Sequence, residues 1–103
     1  MTTLPQETIR AKREGRELPA SEIAEFVAGI ARGRIGPAPM AAFAMAVLWR
    51  GMTTAETVAL TRATAASGET LEWRDLSGPV ADKHSSGGVG DTVSLMLGPM
   101  LAA

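Results

Sequence analysis

Cysteine is absent from all 103 residues, which excludes disulfides and thiolate chemistry and leaves the chain indifferent to the redox state of its compartment. Charge of one sign is lacking as well. Ten basic and eleven acidic residues are interspersed, for a formal net charge of −1. Such a chain carries no field that draws nucleic acid or an anionic lipid surface, so a general polyanion binder is excluded. Long hydrophobic runs are missing too: the longest, Met40 to Trp49, falls well short of the ~20 residues a membrane-spanning helix needs. The N-terminal MTTLPQETIRAKREGRE has no apolar centre of signal-peptide type. These absences set the expectation of a soluble, cytoplasmic chain with neither nucleic acid nor membrane among its partners. No internal repeat or low-complexity tract is found.

What is present is an ordinary apolar fraction of 46% in a chain long enough for one small domain with little core to spare. Pro5 to about Glu14 consists of helix formers and ends at Gly15, a natural stop. From Ser21 to Arg32 the apolar residues Ile23, Phe26, Val27 and Ile30 recur at helical spacing on one face, and Gly33 follows. Gly36-Pro37-Ala38-Pro39 opens a third helix, since proline in a first turn forfeits an N–H that has no partner anyway. Met40, Phe43, Ala44, Val47 and Leu48 carry it to about Arg50. Alanine and methionine occupy nearly all its sides, so it is either buried in a larger body or packed against a second subunit.

Thr53-x-x-Glu56 has the form of a capping box and starts a fourth helix, expected to run to Ser67 and to stop at a left-handed Gly68. Beyond it, Leu71 and Trp73 alternate with charged neighbours, and Gly78-Pro79-Val80-Ala81 reads as a short strand. The pattern changes from helices to strand, glycine-rich loop and helix. This places a domain boundary after residue 68, with 1–68 helical and 69–103 the start of an α/β phosphate-binding domain. The final Leu95 to Ala103 is apolar to its last residue, which reads as a helix cut short.

One segment concentrates the polar signal: Asp82-Lys83-His84-Ser85-Ser86-Gly87-Gly88-Val89-Gly90-Asp91-Thr92-Val93-Ser94. Three glycines within four positions let consecutive N–H groups point into one concavity, a nest for an anion. Ser85 and Ser86 add hydroxyls, Lys83 a full positive charge, and a helix beginning near Asp91 its own N–H groups and dipole. Phosphate is the natural occupant. Plain turn geometry is the competing reading, because glycine-rich strand-to-helix connections are common. The segment matches neither the nucleoside-triphosphate loop nor Gly-x-Gly-x-x-Gly, so an ATPase reading lacks its motif. Asp91 would repel phosphate, and its expected job is to cap the helix that follows.

This segment resembles the Asp-Lys-His-Ser-Thr-Gly-Gly-Val-Gly-Asp signature of the thymidine and pyrimidine nucleoside phosphorylases, with Ser86 keeping the hydroxyl at the threonine position. The resemblance extends to Ile9-Arg10-x-Lys12-Arg13-x-Gly15, Met52-Thr53 and Leu95-Met96-Leu97-Gly98-Pro99-Met100. Members of that family are several times longer, so this chain looks like their N-terminal portion.

The resemblance implies an α/β protein whose small helical domain packs against its twin in a homodimer, and whose reaction joins a pyrimidine nucleoside and inorganic phosphate to give free base and pentose 1-phosphate. It implies Lys83, Ser85 and Ser94 as phosphate ligands, assisted by backbone N–H groups at Gly87 and Gly88. His84 is implied as the catalytic donor to the departing base, since an imidazole ring can donate an N–H in either protonation state. Taken by itself, a lone histidine is equally a group that bonds a carbonyl and shapes a turn. Some members bind potassium at positions matching Gly90 and Thr92, and no other cofactor is implied. The resemblance leaves open whether thymidine, uridine or both are substrates, and residues 1–103 alone are expected to be inactive.

Two other readings stand beside this one. The anthranilate phosphoribosyltransferase type shares the fold but has Gly-Thr-Gly-Gly-Asp as its loop, from which Lys83-His84 and the Val89 insertion depart. A non-catalytic, anion-binding dimerisation module is the other. The surface cations Arg10, Lys12, Arg13 and Arg16 are expected simply to be solvated.

Overall fold

The computed structural model describes residues 3–84 and 92–103. Five helices occupy them: α1 (Pro5–Arg13), α2 (Ala20–Ala31), α3 (Pro37–Arg50), α4 (Thr54–Ser67) and α5 (Thr92–Ala102). The chain forms two compact units, Met1–Thr70 with the first four helices and Leu71–Ala103 with the fifth. None of these helices is long and apolar enough to cross a membrane.

Local chemistry accounts for the helix boundaries. Pro5 and Pro37 stand in the first turns of α1 and α3, where their fixed φ suits the helix and no N–H is missed. Helix α1 ends in a Schellman motif: Gly15 takes φ +83°, its N–H donates to the Lys12 carbonyl at 2.9 Å, and the Arg16 N–H reaches that of Ala11 at 3.0 Å. The end of α2 repeats it, with Gly33 at φ +72° bonded to Ile30 and Arg34 bonded to Gly29. Helix α4 starts with the expected capping box. The Thr53 hydroxyl accepts from the Glu56 N–H at 3.2 Å while the Glu56 carboxylate accepts from the Thr53 N–H at 2.8 Å.

Two expectations fail. Gly68 is not left-handed: at φ −98°, ψ −179° the chain leaves α4 fully extended. The Ser67 hydroxyl instead donates to the Thr64 carbonyl at 2.7 Å, satisfying one of the last-turn acceptors that a glycine cap would otherwise serve. The strand expected around Leu71, Trp73 and Gly78 to Ala81 is also absent, and no strand occurs among the described residues; 74–78 are turns and bends. An alternating segment becomes a strand only by hydrogen-bonding to another, and no second strand occurs among the described residues to pair with it. The regular structure of the described residues is therefore all helix.

The core of the first unit is Ala11, Leu18, Ile23, Phe26, Val27 and Phe43, flanked by partly buried Ile9, Ile30, Val47 and Leu60. The apolar face expected on α2 is thus the buried one. The Phe26 and Phe43 rings meet with centroids 4.6 Å apart and planes tilted by 34°, within the range of attractive aromatic pairs. Helix α3 sinks only Phe43 fully and leaves Met45, Leu48 and Trp49 exposed, the last two at 73% and 79%.

Candidate functional site

Lys83 and His84 close the described stretch that follows the turns at 74–78, and Ser94 is the third residue of α5. The Lys83 ammonium donates to the Ser94 hydroxyl across eleven residues of sequence. A cation and a hydroxyl are therefore held together within the first turn of a helix, where the free N–H groups and the dipole add partial positive charge. Such a corner suits a tetrahedral oxyanion. His84 is exposed beside it in sequence.

Of the site residues expected from the sequence, Lys83 and Ser94 are brought into contact. Ser85, Gly87, Gly88 and Gly90, and the capping role expected of Asp91, lie outside the described residues. The backbone of Thr92 opens α5. Gly90, the other position named for potassium, lies outside the described residues; among the described residues no group of three or more His, Asp or Glu could hold a metal ion.

The helical unit contains a second polar centre, which the sequence reading passed over. Lys12, expected to be solvated, is buried to 4% exposure, although Arg10, Arg13 and Arg16 are on the surface as expected. Its ammonium donates to both oxygens of Glu56, itself 1% exposed, at 2.9 Å each. Glu56 also accepts from the backbone N–H of Leu18 at 2.8 Å. Burial alone would push the Glu56 carboxyl up. The Lys12 hydrogen bond, the N–H groups of Leu18 and Thr53 and the Lys12 charge outweigh it and hold the group below the usual carboxylate range. Thr53 extends the network by donating its hydroxyl to Glu17 at 2.9 Å. The capping-box spacing announced Glu56, but a partner 44 residues away leaves no trace in local pattern.

Comparison with known proteins bears on both centres. Residues 6–68, spanning nearly all of α1 and the whole of α2 to α4, match the glycosyl transferase family, helical bundle domain. The chain belongs to this family. Among curated glycosyl transferase relatives, it is 58% identical over 100 residues to the thymidine phosphorylase of Mesorhizobium japonicum, covering 97% of this chain and 23% of that protein. Identity to the thymidine phosphorylase of Rhizobium meliloti is 57% over 103 residues, 100% of this chain and 23% of the relative. For that of Burkholderia cenocepacia it is 57% over 102 residues, 97% and 23%. The chain thus spans about a quarter of the length of these relatives, and the resemblance read from the Lys83–Ser94 segment agrees with the name they share.

Proposed function

We propose that this protein is a pentosyltransferase that cleaves pyrimidine nucleosides with inorganic phosphate, giving the free base and a pentose 1-phosphate. In this reaction a phosphate oxygen forms a bond to the anomeric carbon while the bond from that carbon to the base nitrogen breaks, the nitrogen keeping the electron pair. The sugar carries positive charge at the crossing point. Catalysis therefore needs a phosphate held in line and a donor for the charge developing on the base. Lys83, Ser85 and Ser94 hold the phosphate with the N–H groups of Gly87 and Gly88, and His84 donates to the leaving base. Should potassium bind near Gly90 and Thr92, it would brace the loop through oxygen ligands, as a hard monovalent cation does.

The observation that carries this reading is the meeting of Lys83 and Ser94 at the start of α5, in a chain more than half identical to thymidine phosphorylases. In the same reading the helical unit is followed by an α/β domain that completes the site, and the exposed Met45, Leu48 and Trp49 on α3 pair with a second copy in a homodimer.

The test is phosphate-dependent release of thymine from thymidine by the full-length protein, with uridine as the competing substrate. Lys83→Ala is expected to lower the rate at least ~10²-fold, the loss typical of removing one donor from a charged transition state, and to raise the phosphate KM. Absence of base release from either nucleoside by the folded wild-type protein would remove phosphorolysis from consideration.

A further inference from the structure

The helical unit holds a recess of about 190 Å³ between the start of α1, one face of α2 and the residues leading into α3. None of the residues around it belongs to the proposed phosphate site. Local chemistry shapes it. Glu22, Glu25 and Gly29 follow at spacings of three and four, with Phe26 beside them, so they share one face of α2. Past the end of α2 the N–H groups of Arg34 and Ile35 donate to the Gly29 carbonyl at 2.8 and 3.1 Å, folding the chain back over that face. Glycine at position 29 is required for this, because a Cβ there would stand 2.7 Å from the Ile35 Cδ1. Ile35 and Phe26 thereby give the recess an apolar wall.

Its polar groups come from both helices. Thr8, only 2% exposed, donates its hydroxyl to Glu22 Oε1 at 2.8 Å, and the Thr3 N–H donates to Glu25 Oε2 at 3.2 Å. Each of these half-buried carboxylates is held by one oxygen. The second oxygen of each makes no hydrogen bond or ion pair among the described residues, and neither does the guanidinium of Arg34, which lines the same recess. Opposite charges therefore face one space without closing on each other.

We infer that this recess binds a small zwitterion, an α-amino acid with a short apolar side chain. Its ammonium donates to the second oxygens of Glu22 and Glu25, its carboxylate accepts from Arg34, and its side chain lies against Phe26 and Ile35. An ammonium has donors for both carboxylates, and a guanidinium presents a fork that matches a carboxylate. A simple anion would be repelled by the two glutamates, and a simple cation would leave Arg34 unanswered. Size points the same way. A cavity of ~150 Å³ accepts benzene, so this one takes roughly six to eight non-hydrogen atoms, the size of valine. The inference is independent of phosphorolysis, and its failure would leave that reading untouched.

The test is calorimetric titration of the full-length protein with L-valine, with isobutylamine, which lacks the carboxylate, and with isovalerate, which lacks the ammonium. L-Valine is expected to bind saturably and at least ~10-fold more tightly than either analogue, the loss that accompanies one charge-assisted contact. Glu25→Gln and Arg34→Gln are each expected to weaken L-valine at least ~10-fold with helical circular dichroism unchanged. Arg34→Gln should leave isobutylamine unaffected, since that analogue has nothing for the guanidinium to hold. Absence of saturable L-valine binding, equal affinity for either analogue, or an L-valine affinity that neither substitution moves overturns the inference.

Discussion

Glu56 accepts from an ammonium and two backbone N–H groups in a place nearly closed to water. A carboxylate tolerates that burial only because every partner is in position, so truncating it strands Lys12 and the N–H groups of Leu18 and Thr53 together. Glu56→Ala is expected to destabilise the helical unit by ~3–5 kcal/mol in chemical denaturation. The same group makes stability depend on pH. Its folded pKa is lowered, so its contribution is complete above the ordinary carboxylate value of ~4.3 and is lost as pH falls through the lower folded value. Lys12 on α1 is the cation facing it, and Glu17, reached through the Thr53 hydroxyl, is the other charged group in the network. Acid titration of the denaturation midpoint should therefore show a falling step that Glu56→Gln flattens. A step unchanged in that variant would assign the acid sensitivity to other carboxylates.

Among the helices, the ends carry more of the specification than the middles. Gly15 and Gly68 look equivalent in sequence, each a glycine after a helix, yet one is left-handed with two Schellman bonds and the other is extended. Gly15→Ala is expected to cost about 1 kcal/mol, because a Cβ at positive φ is strained although nothing lies within 4 Å of it. Gly68→Ala, extended and equally uncrowded, should be neutral or slightly stabilising, within ~0.5 kcal/mol. Thermal melts of the two variants separate these outcomes directly. The capping box of α4 could be read from Thr53 and Glu56 alone because its hydrogen bonds span three residues. The handedness at Gly68 could not, because it turned on whether Ser67 would take up a last-turn carbonyl.

For the whole molecule, the exposed flank of α3 stands out. Trp49 and Leu48 lie open to solvent at 79% and 73%, and Trp49 lines a shallow depression with Ile9, Arg13 and Met45. Large aromatic side chains so exposed are characteristic of contact surfaces. In sedimentation experiments on the full-length protein, Trp49→Glu is expected to weaken self-association at least ~30-fold, the ~2 kcal/mol scale of an interface anchor. Wild-type protein that sediments as a monomer at every concentration would exclude pairing through this face.

The sequence by itself determined the four-helix order, the proline and glycine punctuation, the apolar face of α2, the α4 cap and the loop whose residues carry the family likeness. These are signals written in residues within a turn or two of one another, where backbone geometry and hydrogen bonding act locally. Only the tertiary structure decided that Lys12 is buried against Glu56, that α1 packs chiefly on α3 and α2 on α4, and that the segment after Gly68 forms turns in place of a strand. Each of these depends on a partner far along the chain, and a side chain's burial, a helix's neighbour or a strand's pairing has no expression until that partner is in place.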